Sequence, residues 1–365
     1  MKGRALQLSL LTALAVSGAV APVFAEPAFA VRTGYRCSQC HANRTGGGIR
    51  TAFGSLYTQT ILPRKPLSWR DSSNLLPADP DARFAVGADV RLQYLHVAVK
   101  DRDDVSSFEV SEANLYLEAR LIPGRLSVYL DEKIGPGGAS AREMFGMLAL
   151  SRARSYVKVG KFLPAYGWRL PDDAAFIRQF SGFAYSAPDI GIEFGAEPGP
   201  WSIHFAALNG SGGGSDTDRS KRFTLLLAHR YRRGRIGMSA ASNVTDGPNT
   251  SHVGLLGGAN FGRLAVLAET DWVVVRDGTG DTGRVLGLIE ANLLVSRGLN
   301  VKLAHDYLDP DLDQSTDART RDSLGVEFTP WPFLQLRAFA RVSDGPPQIR
   351  GSRDTRFDFE LHLFF

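Results

Sequence analysis

Apolar and polar side chains alternate with a period of two from Arg83 to the end of the chain. In the first such stretch Phe84 and Val86 share one face, whereas Asp89 and Arg91 share the other. Because successive side chains of a strand point to opposite faces of its sheet, this period predicts amphipathic β-strands. A soluble β-sandwich would show the same alternation, so the connections between the strands have to decide the architecture.

Short and long connections between these strands alternate along the chain. The predicted short ones are 122–124, 151–154, 198–200, 233–234, 261–263, 297–298 and 331–332. The predicted long ones are 100–104, 134–141, 163–187, 209–221, 243–250, 276–283, 308–319 and 343–353. Together they delimit about 16 antiparallel strands, and an even number with this asymmetry is typical of bacterial outer-membrane proteins. Residues 81–365 are therefore predicted to form an all-β, closed transmembrane β-barrel.

The predicted barrel carries expectations about its surroundings. With short turns on the periplasmic side and long loops outside, both termini are expected in the periplasm. The strands are expected to be surrounded by outer-membrane lipid. The closing aromatic stretch Leu361–Phe365 suits the interfacial girdle of such a barrel. The chain has 42 Lys and Arg against 38 Asp and Glu, without a basic run or stripe. That balance argues against a nucleic-acid-binding protein.

The third predicted outer loop, Leu163–Ala187, is long for a connection without secondary structure of its own. Loops of this length are usually functional or disordered. Its position corresponds to that of the constriction loop of porins, in which case its charged residues would set the local field of the pore. These residues are Arg169, Asp172, Asp173 and Arg178. A solvated surface loop is the alternative interpretation.

The first 25 residues have the pattern of a secretory signal peptide. Lys2 and Arg4 precede an apolar run, and the small residue Ala25 offers a cleavage site, with Ala30 as a competing one. The prediction is that the chain leaves the cytoplasm with residues 1–25 removed.

The chain's two cysteines form one motif with the next residue. Cys37, Cys40 and His41 stand in the order C-x-x-C-H, the spacing of covalent c-type haem attachment. The two thiols can each bond to a haem vinyl group, and the adjacent histidine can ligate the iron as proximal ligand. A plain disulfide or redox pair is the main alternative, whereas a zinc site would need further ligands nearby. Residues 26–80 are accordingly predicted to be a segment carrying one covalent haem c.

The sixth iron ligand is not evident near the motif. No methionine lies between Cys40 and Met144, and no histidine lies between His41 and His96. The iron is then either open on that side or ligated from elsewhere in the chain. Strand parity places His204 and His362 on the lumen side, and they are the candidate sixth ligands, although each could be an ordinary polar residue of the lumen.

The exported C-x-x-C-H segment followed by one barrel resembles the outer-membrane fused monohaem cytochrome–porin family, whose best-known members oxidise iron. The likeness in motif lies in Phe29–His41, where an F-A-x-x-T-G run precedes the haem motif. It implies that Cys37 and Cys40 form the thioethers and that His41 is the proximal ligand. The stretch Asn43–Gly48 differs from the sequence that follows the haem motif in the iron-oxidising members. Another form of extracellular electron exchange is therefore expected as much as iron oxidation. Gly160–Pro164, followed by Tyr166-Gly167, is similar to a stretch of anion-selective porins.

Two functional hypotheses follow. The first is an electron-transfer protein that connects an extracellular donor or acceptor, with ferrous iron as one candidate, to a soluble periplasmic cytochrome, which would make it an iron(II):cytochrome c oxidoreductase. The second is a diffusion porin, anion-selective in one version, whose haem segment is structural or sensory. A soluble haem enzyme is disfavoured because no distal His–Arg arrangement accompanies the motif.

Overall fold

The computed structural model describes residues 27–68, 82–100, 102–150, 154–172, 174–245, 248–348 and 352–365. The predicted signal peptide, residues 1–25, lies outside them. The strands are β1 (Phe84–Val99), β2 (Val105–Ile122), β3 (Leu126–Gly135), β4 (Ser140–Ala149), β5 (Tyr156–Phe162), β6 (Asp189–Ala196), β7 (Trp201–Leu208), β8 (Arg222–Tyr231), β9 (Gly234–Asn243), β10 (Asn249–Phe261), β11 (Leu264–Asp277), β12 (Gly280–Ser296), β13 (Leu299–Asp309), β14 (Arg319–Trp331), β15 (Leu334–Asp344) and β16 (Asp354–Phe364).

The strands form one closed antiparallel barrel. Each pairs with its neighbours in the sequence, and β1 closes the ring on β16, with Asp89 opposite Phe364 and Val99 opposite Asp354. Closure leaves the sheet with no unpaired edge strand. The prediction of about 16 antiparallel strands is confirmed. Seven short turns lie at one end, called here the short-turn end, and the other end is called the long-loop end.

Period-two alternation sorts side chains between the outer surface and the lumen. In β16, Phe359 is 49% exposed whereas its neighbour Asp358 is 8% exposed. The outward residues form an apolar belt, as expected for a surface in contact with lipid tails. The side chains of His204 and His362 point into the lumen, as strand parity predicts, since both contact other inward side chains.

One predicted long loop is wrong. Residues 276–283 form a tight hairpin in which only Gly278 and Thr279 separate β11 from β12. Asp277 Oδ1 accepts hydrogen bonds from the backbone N–H groups of Thr279 and Gly280 at 2.7 and 3.2 Å. This Asx turn lets the ladder continue where the polar composition indicates a loop.

Within the described part of the chain, three short helices precede the barrel: α1 (Pro27–Thr33), α2 (Cys37–Cys40) and α3 (Ala52–Thr60). Arg230, at the short-turn end of β8, donates to the carbonyl of Gly34 at 2.6 Å, and Arg297, in the β12–β13 turn, donates to that of Pro63 at 2.9 Å. The segment 27–68, called here the N-terminal segment, is thereby fixed to the short-turn end. No helix among the described residues is long and apolar enough to cross a membrane.

The connection between β5 and β6, residues 163–188, folds into the lumen and is called here the inward loop. It contains a further short helix, α4 (Phe176–Gln179). The backbone N–H of Trp168 donates to Glu269 at 2.8 Å, and that of Phe176 donates to Asp306 at 2.9 Å. Because both carboxylates lie on inward faces of the wall, the constriction-loop position is correct and the surface-loop alternative is wrong.

The two sides of the lumen differ in character. Towards β10–β13, Val31 of α1 and Trp168 and Ile177 of the inward loop pack against inward apolar side chains of the wall, including Leu267 and Leu286. Towards β1–β3 and β15–β16, inward side chains are mostly charged. The lumen is therefore filled by a hydrophobic core on one side and keeps a polar cavity on the other.

Candidate functional site

The C-x-x-C-H motif lies in the barrel lumen. Cys37–Cys40 form the single turn α2, which closes with a hydrogen bond of 2.9 Å from the backbone N–H of His41 to the carbonyl of Cys37. No disulfide joins the two cysteines in the structure. Cys37, Cys40 and His41 line one cavity, so the turn presents the three motif residues to the same space.

A run of three glycines shapes the chain after the motif. Gly46, Gly47 and Gly48 all have left-handed φ, at +99°, +82° and +61°. A Cβ at Gly46 would lie 3.7 Å from Sγ of Cys37, and one at Gly48 would lie 1.6 Å from the hydroxyl of Tyr129. Glycine is needed here for backbone conformation and for close approach to the wall.

Polar contacts hold the motif segment against strands β4 and β6. The side-chain amide of Asn43 donates to both oxygens of Glu143 at 3.0 and 3.2 Å. Glu197, next to the end of β6, accepts from the Ser38 hydroxyl at 2.8 Å and pairs with Arg36 at 3.8 Å. Because Asn43 and Glu143 are buried, these contacts cost more to break than exposed ones would.

The cavity around the motif, called here the apolar cavity, lies between the N-terminal segment, the inward loop and strands β6–β9. It contains about 1520 Å³ of space free of protein atoms, part of it open to solvent. Its lining is predominantly apolar and includes Phe29, Tyr57, Leu163, Tyr166 and Trp168. A low-polarity space with a few polar groups is typical of cofactor sites.

The ionisation of the motif follows from its surroundings. Burial, with the nearby cations Arg50 and Arg169, lowers the pKa of His41 to about 3. Burial also raises the pKa of the Cys40 thiol to about 11. At neutral pH the imidazole is uncharged and its nitrogen lone pair is available.

These residues fit a covalent haem. The two thiols and the imidazole face one predominantly apolar space, and His41 Nδ1 is buried without a hydrogen-bond partner among the described residues. Cys37 and Cys40 would hold the porphyrin through thioethers, and His41 would ligate the iron. The described residues contain no cluster of three or more His, Cys, Asp or Glu that could hold a metal ion by themselves.

The two candidate sixth ligands differ in placement. His204 lines the apolar cavity with the motif, and its Nδ1 lies 2.9 Å from the Tyr156 hydroxyl. His362 lines the polar cavity, which His41 also lines, with Nδ1 at 3.2 Å from Gln335 and Nε2 at 3.4 Å from Asp89. Each candidate therefore shares a cavity with His41, His204 the one around the motif and His362 the charged one.

A second cavity, called here the polar cavity, lies between β1–β3, β15–β16 and the inward loop. It contains about 1880 Å³ of space free of protein atoms, part of it open to solvent. Phe29, His41, Gly47, Pro171 and Tyr185 line both cavities and form the boundary between them. His41 therefore stands where the apolar space meets a charged one.

The charged residues predicted in the inward loop are paired with the barrel. Arg169 contacts Glu143 at 3.0 Å, Asp172 contacts Arg341 at 3.0 Å, and Arg178 bonds to Glu269. Asp173 lies outside the described residues. Because the described partners neutralise one another, these residues fix the loop in place as well as charging the lumen.

Asp172→Asn is expected to loosen the inward loop. Burial opposes ionisation of Asp172, but the guanidinium of Arg341 and, more weakly, two neighbouring ones hold the pKa of this carboxyl well below its usual range. Losing the charged contact should cost about 1–3 kcal/mol. Proteolysis within residues 163–188 should be faster than in wild type.

The pH dependence of this contact has a definite sign. Because the folded-state pKa of Asp172 is depressed, its stabilisation is present above the unfolded value of about 3.9 and is lost as pH falls through the folded one. The loop should thus stay attached from neutral to mildly acidic pH. Asp281→Asn, which removes an exposed pair with Arg276, is the control and should leave proteolysis unchanged. Equal proteolysis of both variants would contradict the assignment.

Two contributors to the site were not identified from the sequence. Asn43 reaches the buried Glu143, and Arg50 bridges to the backbone of His41 while its guanidinium lies 4.7 Å from the ring centre of Phe364. Their position directly after the motif was the available signal. Neither partner could be identified before the strand register was known.

Comparison with solved structures identifies the architecture. The outer membrane protein OmpT of Vibrio cholerae, as a loop L8 deletion mutant, is 12% identical, with 78% of this chain and 100% of that chain covered and a TM-score of 0.61. The barrel has the porin fold. An anion-selective porin from Comamonas acidovorans is 14% identical, covering 77% of this chain and 99% of its own, also at 0.61. The outer membrane channel DcaP of Acinetobacter baumannii is 11% identical, covering 77% and 97%, at 0.58.

No family model and no curated protein matches the sequence. The porin fold covers about three quarters of the chain. The barrel, from Phe84 onward, makes up about the same share of the sequence. The motif residues of the N-terminal segment are thus interpreted from their own chemistry and geometry.

Proposed function

We propose that the chain is an outer-membrane electron-transfer protein that holds one covalent haem c in the lumen of its barrel. The observation that carries the proposal is the position of the motif. Cys37, Cys40 and His41 face a predominantly apolar cavity inside the barrel and are not on a separate domain outside it. A redox group there would lie within the insulating layer that electrons have to cross.

The protein's residues have three tasks in this function. Tyr166 and Trp168 of the inward loop line the space around the motif and limit the access of water. Asn43 and Arg36 fix the motif segment to strands β4 and β6. When bound, the haem supplies one redox-active iron, whose potential depends on ligation and burial.

The proposed partners follow from the two ends of the barrel. With short turns on the periplasmic side, both chain termini and the entry of the N-terminal segment face the periplasm. A soluble cytochrome would exchange electrons there. A donor or acceptor outside the cell would approach from the long-loop end, and ferrous iron is the candidate donor that makes the protein an iron(II):cytochrome c oxidoreductase.

Electron transfer across vesicles tests the proposal. Wild-type protein is placed in liposomes that contain a soluble c-type cytochrome, and ferrous iron is added outside. The trapped cytochrome should be reduced, as followed by its visible absorption, while vesicles with the Cys37→Ser, Cys40→Ser double variant should show no reduction. No reduction by wild-type protein that carries haem would overturn the proposal.

A diffusion pore is the second candidate. The polar cavity favours it, because a water-filled lumen with charged walls is typical of porins. The solved structures also favour this reading over electron transfer, since an anion-selective porin and an outer membrane channel are among them. A pore would let the reductant itself enter the vesicles, so the serine variant would then reduce the trapped cytochrome as fast as wild type.

A further inference from the structure

The N-terminal segment carries positive charge across the mouth of the barrel at the short-turn end. Its residues 27–68 include five Arg and one Lys and no Asp or Glu. Arg44 donates to the carbonyl of Arg154 in the β4–β5 connection at 2.9 Å. Further along the segment, the backbone N–H of Lys65 donates to the carbonyl of Pro330 in β14 at 3.0 Å. The segment therefore spans the mouth from one side of the wall to another.

The rim of this mouth is positive as well. Across the described residues of the seven short turns, Glu197 is the one carboxylate, and it is buried and paired with Arg36 at 3.8 Å. The exposed cations of the rim and of the N-terminal segment are Arg64, Lys65, Arg83, Arg125, Arg154, Arg232, Arg233 and Arg263. Within the described ranges none of these eight forms an ion pair, so their charge is directed at solvent.

Exposed carboxylates lie at the opposite end of the barrel. The exposed Asp side chains of the long-loop end include Asp103, Asp104, Asp216, Asp277, Asp281, Asp313 and Asp344. Since the whole chain has 42 Lys and Arg against 38 Asp and Glu, the positive short-turn end results from a separation of charge between the two ends. Such a separation produces a field that attracts an acidic partner to the short-turn end.

An exposed aromatic side chain lies beside the motif within this positive surface. Phe53 of α3 is 41% exposed and lines neither lumen cavity. Its ring centre is 5.3 Å from that of Tyr35 and 6.2 Å from that of Tyr57, and both tyrosines line the apolar cavity. The next residue, Gly54, packs so closely on the backbone carbonyl of Cys40 that a Cβ would not fit. A partner in contact with Phe53 would therefore lie against the helix that packs on the motif turn.

We propose that the short-turn end is the docking surface of an acidic soluble electron carrier, whose carboxylates contact the exposed arginines and whose apolar patch contacts Phe53. This inference rests on the proposed function, which puts that end in the periplasm and makes a soluble cytochrome the partner. A protein is favoured over anionic lipid headgroups, because lipid surrounds the wall whereas Lys65 and Phe53 belong to the segment that spans the mouth. Complementary charge around a small apolar contact suits a carrier that has to bind and leave rapidly.

One haem protein in two charge states tests the surface. Mitochondrial cytochrome c is rich in lysine, and succinylation replaces each ammonium group by a carboxylate, so the same protein becomes acidic. Full-length protein in phosphatidylcholine nanodiscs is titrated with the native and the succinylated form, and binding is followed by biolayer interferometry. The succinylated form should bind, more weakly as salt is added, and the native form should not bind.

Matched variants locate the contact. Arg232→Glu with Arg233→Glu should raise the Kd for the succinylated form by about tenfold or more, because both are exposed in the β8–β9 turn. Arg102→Glu with Arg219→Glu makes the same change of net charge at exposed positions of the long-loop end and should leave the Kd unchanged. Arg232→Lys with Arg233→Lys retains the charge and should keep the Kd within a few fold. Phe53→Ala should weaken binding by a similar factor at low and high salt, because this contact carries no charge.

Four results would overturn the docking surface. They are equal binding of the two forms, no binding of the succinylated form, an equal loss in the long-loop variant, and an unchanged Kd in Arg232→Glu with Arg233→Glu. If that last result came with a loss of co-purifying phosphatidylglycerol, the arginines would be assigned to lipid headgroups instead.

The vesicle assay separates this inference from the proposed function. Equal electron transfer to trapped native and succinylated cytochrome would contradict the docking surface while supporting electron transfer. Binding of the succinylated form by protein that carries haem but reduces neither form would support the docking surface and refute the proposed function.

Discussion

The double change Cys37→Ser with Cys40→Ser is expected to abolish covalently bound haem while leaving the barrel folded. Serine cannot form a thioether, so any remaining porphyrin would be held by His41 and by packing alone. The strands should be unaffected, because the polar contacts of this turn with the wall are made by Ser38 and by the preceding Arg36, which the double variant keeps. The measurement is the mass of the denatured protein together with its visible spectrum after extraction with acidified organic solvent.

His41→Ala is the companion variant that separates attachment from ligation. It retains both thiols, so haem should stay covalent, but the absorption bands should shift because the proximal ligand is lost. An unchanged spectrum in His41→Ala would show that another residue ligates the iron. Wild-type protein with the mass of the polypeptide alone would refute the haem assignment and favour the disulfide or redox pair instead.

Gly48→Ala is expected to displace the N-terminal segment from the lumen wall. The added Cβ would lie 1.6 Å from the Tyr129 hydroxyl, and the backbone at Gly48 has a φ of +61°. Left-handed backbone at a non-glycine residue costs about 1–2 kcal/mol, and an overpacked contact costs about 1–3 kcal/mol more. Protease cleavage between residues 27 and 68 should become markedly faster than in wild type.

Two controls separate the clash at Gly48 from backbone strain. Gly262→Ala has a nearly equal φ of +71° but meets no atom within 4 Å, so it reports the conformational cost alone. Tyr129→Phe removes the hydroxyl that the new Cβ would strike and should partly rescue Gly48→Ala. If Gly262→Ala exposed the N-terminal segment as strongly, or if Tyr129→Phe rescued nothing, the packing argument would be wrong.

Much of the barrel could be predicted because its determinants are local. Period-two alternation reports which face of a strand is apolar, and turn residues mark where strands end. The residues 276–283 show the limit of that reasoning. Polar composition cannot distinguish a long loop from a hairpin closed by Asp277, because the difference lies in hydrogen bonds between the two strands.

The lumen was harder to predict because parity assigns a direction but not a partner. Trp168 and Ile177 of the inward loop meet Leu267 and Leu286 of the wall, so one side of the lumen is an apolar core. These residues are about a hundred positions apart in the chain. Likewise, parity puts both His204 and His362 inside, but only the closed barrel shows that His204 lines the apolar cavity and that His362 lines the polar cavity beside Asp89.

The amino-acid sequence by itself determined the number and sidedness of the strands and the presence of a C-x-x-C-H motif, since both depend on spacing along the chain. Only the tertiary structure decided that the motif lies inside the barrel, that the inward loop encloses it, and that a separate polar cavity lies beside it. Those features depend on contacts between residues far apart in the sequence. Such contacts are set by ring closure and strand register, which no local pattern records.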